Sequence, residues 1–184
     1  MLVDADYLDA TAFDLIVNFE RMLGRRIEQG DLCHWLDCIA LDGGLTPGHN
    51  QVQVLFLHSK TKERLDNFAP AHFATELDGK AFSDNLGEFT LHSVQAEGPI
   101  TAEDLYAESL EMLLTSAQVE RIMVVADMDS QFDRLRRIVE KAEDRHDVTF
   151  FSMNPLPNSR QFFSEILGYS LMAALGISGE ELRQ

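Results

Sequence analysis

The chain has 184 residues, of which 45% are hydrophobic and 25% are charged, and these proportions exclude a disordered or fibrous protein. Its formal net charge is −16, with 15 Lys and Arg against 31 Asp and Glu. This charge disfavours non-specific binding of long polyanions such as nucleic acids. Binding of an anion at a local basic site, or binding of a basic partner, stays possible. No apolar run reaches the roughly 18 residues of a membrane span, and Asp4, Asp6 and Asp9 stand where a signal peptide would be basic and then apolar, so we expect a cytoplasmic protein without a membrane partner.

The first half of the chain is predicted to alternate strands and helices. In chain order we expect a strand over residues 1–3, a helix with Thr11 and Asp14 as its start signal, a helix from Asp31 to Ala40, a strand from Val52 to Leu57, short helical pieces around Pro70 and a strand from Glu88 to Val94. Asp9 can cap the first helix. Cys33 and Cys38 lie five residues apart in the second helix, so they predict neither a disulfide nor, with His34, a metal clip.

The second half continues the alternation. In chain order we expect a helix over residues 101–116, a strand from Arg121 to Ala126, a helix that starts near Gln131, a strand from Val148 to Ser152 and a final helix that carries Phe162, Phe163, Ile166, Leu167, Leu171 and Leu175. The sequence therefore predicts an α/β fold with a doubly wound, mainly parallel sheet flanked by helices. Residues 1–155 would form this domain, and residues 156–184 a C-terminal helical extension packed on it or on a second copy of the chain.

Acidic residues follow two of the predicted strands. Asp4 comes after the first strand and Asp127 after the strand that ends at Ala126, with Asp6 and Asp129 two residues further along. Ligands of open α/β sheets bind at the carboxyl ends of the strands, so these carboxylates would share a crevice if the two strands are neighbours. Carboxylates at close range repel one another unless a cation lies among them, and oxygen ligands suit Mg²⁺ or Mn²⁺.

Several acids also have a structural interpretation. Asp129 or Ser130 can cap the helix near Gln131, and Thr101 with Asp104 forms a pair like a capping box. Asp4 and Asp127 directly follow apolar strands and have no evident helix to cap. These two residues are therefore the centre of the predicted site, and Asp6 is secondary.

The order of the segments resembles the NYN domain, a branch of the PIN-like nuclease superfamily. MLVDADYL supplies Asp4 of the family's first motif, although Tyr7 stands in place of an Asn. VQVLFLHS and VTFFSMNP resemble its second and last strands, and Thr101-Ala-Glu-Asp104 resembles its Lys-x-x-Asp element, with Glu108 one turn on. VVADMDSQFDRL resembles its Ser-Gly-Asp-x-Asp-Phe segment.

The resemblance covers roughly residues 1–155 and implies a ribonuclease that depends on Mg²⁺ or Mn²⁺. It implies Asp4, Asp104 and Asp127 as primary metal ligands, Asp129 and Glu108 as supporting acids, and RNA as a substrate held at a local site only. The metal would activate water against a phosphodiester.

Two other hypotheses stay open. Asp4-Ala-Asp6 fits the Asp-x-Asp loop of HAD-type phosphohydrolases, with Asp4 as the nucleophile. The chain can also be a catalytically degenerate PIN-like domain that serves as an interaction module, because the Asn and the Lys of the family pattern are replaced and the charge is −16. Arg134, Arg136 and Arg137 can contact phosphate or form a solvated helix face paired with Glu140.

Overall fold

A central sheet of seven strands organises the protein, whose structure is a computed structural model that describes residues 1–142 and 146–183. The strands are β1 (Leu2–Asp4), β2 (Gly30–Asp31), β3 (Asn50–His58), β4 (Phe68–Ala69), β5 (Ala81–Ser83), β6 (Gly87–Gln95), β7 (Arg121–Val125), β8 (Asp147–Ser152) and β9 (Phe163–Ile166). The helices are α1 (Ala5–Leu23), α2 (Leu32–Asp42), α3 (Ala102–Thr115), α4 (Met128–Lys141) and α5 (Leu167–Ala174).

The strand order in the sheet is β5-β6-β3-β1-β7-β8-β9. All neighbours are parallel except β5, which pairs with β6 in the antiparallel direction. The chain therefore winds outward from β1 to β3 and β6, returns to the other side of β1 at β7, and continues outward through β8 and β9. The short strands β2 and β4 form a separate parallel pair.

Helices cover both faces of this sheet. Residues of α1, α2 and α5 are buried in one core cluster, and residues of α3 and α4 are buried in a second cluster on the opposite face. The predicted α/β fold is confirmed, and it has the doubly wound arrangement of Rossmann-like folds. Within the described ranges, each helix is too short or too polar to cross a bilayer.

Two helices start earlier than the sequence predicts, because each follows its strand with no more than two residues between them. α1 starts at Ala5 with Asp4 as its N-cap, and α4 starts at Met128 with Asp127 as its N-cap. The expectation that Asp4 and Asp127 have no helix to cap is wrong, and so are the caps predicted at Asp9 and at Asp129 or Ser130. Asp9 lies inside α1 and is buried.

The segment around Pro70 is not made of short α-helices as expected. It contains β4, a single π-helical turn at Phe73–Leu77 and the edge strand β5. Leu65, Phe68, Phe73 and Leu77 are all buried. These apolar residues are therefore spaced by the points at which an irregular segment packs on the core, and their spacing does not indicate a helix.

The C-terminal region also differs from the prediction of one long helix. Phe163–Ile166 pairs in parallel with β8 as the last strand of the sheet, and only Leu167–Ala174 is α-helical. Pairing with an open sheet edge overrides the helical spacing of the apolar residues. Leu167 and Leu171 pack into the same core as α1 and α2.

Candidate functional site

The strand order reverses between β1 and β7, and ligands of open α/β sheets bind at the carboxyl ends of the strands at such a point. These strands are neighbours, with Leu2 opposite Val124 and Val3 opposite Val125. Asp4 ends β1, and Asp127 follows β7 after Ala126. The sequence thus correctly placed both carboxylates at one edge of the sheet. We call the group of Asp4, Asp6, Glu103 and Asp127 the acidic crevice, because the charges of the other three carboxylates act on Asp4.

Asp4 is the innermost acid of the crevice. One carboxylate oxygen, Oδ1, accepts a hydrogen bond of 3.0 Å from the backbone N–H of Tyr7, which is the N-cap contact of α1. Burial raises the pKa of Asp4 to about 6, the Tyr7 N–H opposes this rise, and repulsion from Asp6, Glu103 and Asp127 adds to it. The carboxyl group is therefore partly protonated slightly below neutral pH, and no cationic side chain in residues 1–142 and 146–183 offsets its charge.

Asp127 is held by its own helix. Its Oδ1 accepts from the N–H of Asp129 at 3.1 Å, and its Oδ2 accepts from the hydroxyl of Ser130 at 2.7 Å. Asp129 is exposed in the first turn of α4, and its charge contributes to a raised pKa of Tyr7, of which burial is the main cause. Asp127 therefore faces the crevice as a capping residue, and Asp129 lies at its rim.

Asp6 is hydrogen-bonded to Ser59, the residue that follows β3. Its Oδ2 accepts from the N–H of Ser59 at 2.7 Å, and its Oδ1 accepts from the Ser59 hydroxyl at 2.7 Å. The two contacts occupy both oxygens and tie α1 to the loop after β3. Asp6 is thus a structural link on the side of the crevice.

In the part of the chain that the structure describes, no contact brings Asp104 or Glu108 into the acidic crevice. Asp104 accepts from Arg134 at 2.9 Å, and this guanidinium, with the Thr101 hydroxyl, lowers its pKa. The predicted Thr101 cap is present, since its hydroxyl accepts from the Asp104 N–H at 3.1 Å. Glu108 is exposed one turn further along α3.

Three neighbours of the site were not singled out from the sequence as site residues. The charge of Glu103, at the start of α3, helps to raise the pKa of Asp4. In the sequence, only its position beside Asp104 in the capping segment pointed to Glu103. The charges of Asp4, Asp127 and Asp129 contribute to the raised pKa of the Tyr7 phenol. Tyr106 contacts both strands that border the acidic crevice: its buried hydroxyl donates to the Leu2 carbonyl at 2.8 Å and accepts from the Val125 N–H.

The arrangement does not match a metal centre. Among residues 1–142 and 146–183, no three His, Cys, Asp or Glu side chains are grouped so that they could hold an ion. Asp4, Asp6, Asp104 and Asp127 each accept hydrogen bonds from the protein's own donors. The acids implied as Mg²⁺ or Mn²⁺ ligands therefore do not fit that role in their present positions, and we derive no step through a metal ion.

Comparison with known protein families matches residues 1–182 to a family described as Family of unknown function (DUF6621). The comparisons with curated proteins and with solved structures gave no significant match.

Proposed function

The chain belongs to this family of unknown function, and we propose that it is a divergent PIN-like domain of the NYN type that has lost the metal arrangement and serves as an interaction module. In this proposal the acidic crevice receives a basic group, Lys or Arg, of a partner protein. The observation that carries the proposal is the grouping of acids around Asp4: burial raises the pKa of Asp4 to about 6, the charges of Asp6, Glu103 and Asp127 add to the rise, and no cation among the described residues offsets it. The position supports it, because ligands of doubly wound sheets bind where the strand order reverses.

A basic side chain suits this crevice better than a divalent ion. A divalent ion needs several carboxylate oxygens that converge on one point, whereas an ammonium or guanidinium donates separate hydrogen bonds to oxygens several ångström apart. The net charge of −16 also favours a basic partner, because complementary charge speeds association and excludes acidic competitors.

The test measures the affinity of an oligolysine peptide by calorimetry for the protein and for Asp127→Asn. Asparagine caps a helix as well as aspartate does, so the start of α4 is kept while the charge is removed. We expect the affinity to fall by about tenfold, equivalent to about 1.4 kcal/mol.

The matched control is Asp133→Asn, which removes one exposed charge from the same helix. We expect it to leave the affinity nearly unchanged. If both variants weaken the peptide equally, the binding is a response to overall charge and the crevice is not the site.

A metal-dependent ribonuclease is the second candidate function. It is favoured by the placement of Asp4 and Asp127 at the ends of neighbouring strands, since these are the two acids that the resemblance to NYN domains implies first. In this case Mn²⁺ would raise the melting temperature, Asp127→Asn would abolish the rise, and Mn²⁺ would support cleavage of a labelled RNA. No observation in the described residues favours the HAD-type phosphohydrolase, because both oxygens of Asp6 are bound to Ser59.

Other properties remain proposals from the sequence. We propose a cytoplasmic location, and RNA contact at a local site only. A homodimer through the C-terminal helix is less well supported, because Leu167, Leu171 and Ala174 of α5 are buried within their own chain, although Tyr169 is exposed.

A further inference from the structure

A cavity opens at the same edge of the sheet as the acidic crevice but over different strands. It has a volume of about 510 Å³ and lies between the ends of β3 and β6 and the segment from His72 to Thr75. Its size falls in the range of small-molecule sites, about 300–1,000 Å³. It is joined to the crevice through Ser59, which follows His58 of this cavity and binds Asp6.

The side chains around this cavity are unusual for so acidic a protein. Its lining includes Lys60, Lys62, His58 and His72, and Glu63 is the one acid among the lining residues. The chain as a whole has 31 Asp and Glu against 15 Lys and Arg. Basic groups are therefore concentrated here against the overall charge.

Lys60 supplies the free positive charge. Its ammonium is exposed and donates to the carbonyl of Gly98, which has no charge to offset it. Its backbone carbonyl accepts from the side-chain amide of Gln95 at 3.0 Å, so the residue is anchored to the end of β6. Lys62 differs, because its ammonium lies 2.6 Å from the buried carboxylate of Asp9 and is neutralised there.

His58 supplies a fixed hydrogen-bonding atom. Its side chain is 6% exposed, and its ring stacks on Phe73 with centroids 4.1 Å apart. Nδ1 lies 3.0 Å from the Ser59 carbonyl, which can only accept, so Nδ1 carries the proton and donates. Nε2 has no hydrogen-bond partner among the described residues. In the neutral ring this atom is an acceptor.

We propose that this cavity, here called the His58 cavity, binds a phosphate monoester. Such a group near neutral pH carries negative charge together with a hydroxyl proton on part of its population, because its second pKa is about 6. It can accept from the ammonium of Lys60 and from the hydroxyls of Thr75 and Ser93, and donate to Nε2 of His58. A carboxylate has no proton to give to Nε2, so it fits the same set of atoms less well. The inference does not depend on the role of the acidic crevice.

The experiment titrates the full chain by calorimetry with inorganic phosphate, ribose 5-phosphate and adenosine 5′-monophosphate, each against sodium chloride of equal ionic strength. We expect at least one of them to bind in the millimolar range or more tightly. Lys60→Gln should weaken binding by about tenfold, because it removes a charge-assisted hydrogen bond. Tighter binding of the esters than of inorganic phosphate would place their organic part in the cavity, and equal binding would limit the site to phosphate itself; either result supports the proposal.

The matched control is Lys80→Gln, an exposed lysine outside the lining of the cavity, which should keep the wild-type affinity. A nuclear magnetic resonance titration gives an independent readout, in which the Nε2 signal of His58 should move with phosphate and not with chloride. The proposal is overturned if none of the three ligands binds, if Lys80→Gln weakens binding as much as Lys60→Gln, or if the His58 signal stays still while binding occurs.

Discussion

Asp37 lies in the middle of α2, with a buried carboxylate oxygen, Oδ1, that no hydrogen-bond donor reaches among the described residues. Burial raises its pKa to about 7, and a side-chain hydrogen bond with Asp84 and the charges of Asp84 and Asp31 add to the rise. A hydrogen bond between two carboxyl groups requires a proton on one of them. The pair therefore links α2 to the turn between β5 and β6 only while the proton is present.

This pair predicts a decrease in stability as the pH rises. An unfolded Asp has a pKa of about 3.9, so between about pH 4 and pH 7 the folded chain holds a proton that the unfolded chain has lost. The stabilisation is complete below the unfolded value and is lost as the pH rises through the folded value. Asp37→Asn should flatten this part of the curve and raise the free energy of unfolding at pH 8, as measured by urea titrations.

Asp14→Asn is the control for this prediction, because Asp14 is exposed on α1. It should reproduce the wild-type pH dependence, to which Asp4 also contributes through its raised pKa. An unchanged slope in Asp37→Asn would show that the two carboxyl groups do not share a proton.

Asp9 is a buried acid whose pKa is lowered and not raised, in contrast to that of Asp37. Burial opposes its ionisation, but Lys62 and the N–H groups of Asp66 and Asn67 outweigh burial and lower its pKa. Asp9→Asn would point amide N–H groups at these donors. We expect the free energy of unfolding to fall by about 3 kcal/mol, the range for breaking a buried ion pair.

Urea unfolding at neutral pH measures this loss. Asp14→Asn on the same helix should change the free energy of unfolding by less than about 0.5 kcal/mol. A loss in Asp9→Asn that is no larger than in this control would contradict the view that Asp9 anchors the segment from Lys62 to Asn67.

At the level of elements, Tyr106 of α3 joins the two strands that border the acidic crevice. Its buried hydroxyl donates to the Leu2 carbonyl of β1 and accepts from the Val125 N–H of β7. Tyr106→Phe should lower the free energy of unfolding by about 1–3 kcal/mol, because buried backbone groups lose their partner. It should also speed hydrogen exchange at the Val125 amide.

Tyr169→Phe is the matched control, since the Tyr169 side chain is 72% exposed. It should change neither stability nor exchange. Normal protection of Val125 in Tyr106→Phe would mean that the strands hold this edge of the crevice without the hydroxyl.

The elements that the sequence predicts well are those with strong local signals. α3 shows its apolar spacing and its Thr101 cap, and β7 is an apolar run buried on both faces, so both were predicted within a few residues of their observed bounds. β9 could not be predicted, because its pairing with β8 is a tertiary contact that helical spacing conceals. The same applies to the π-helical turn at Phe73–Leu77.

The candidate site was predictable in position and not in chemistry. The sequence put Asp4 and Asp127 after two parallel strands, and it placed them together only on the condition that the strands are neighbours, which the structure shows. The sequence could not show that both acids cap helices, since that depends on the length of the strand–helix junction. Nor could it show that Arg134 pairs with Asp104, a contact between side chains of α3 and α4. The pairing of Arg136 with Glu140 follows helical spacing and agrees with one of the two alternatives that the sequence left open for this run of arginines.

For the whole molecule, the net charge of −16 is the dominant electrostatic feature. Excess like charge destabilises a compact state through self-repulsion. Raising the salt concentration from about 0.01 M to about 0.15 M shortens the Debye length from about 30 Å to about 8 Å, which screens this repulsion. We therefore expect the melting temperature to rise with sodium chloride, as followed by circular dichroism.

The same measurement separates general screening from a metal site. Magnesium chloride at equal ionic strength should raise the melting temperature by about as much as sodium chloride if the acidic crevice holds no divalent ion, apart from a small excess shared by all variants. A larger excess that disappears in Asp127→Asn and persists in Asp133→Asn would assign the ion to the crevice and favour the ribonuclease. A melting temperature that falls with sodium chloride would instead mean that surface ion pairs such as Arg121–Asp147 outweigh the self-repulsion of the excess acids.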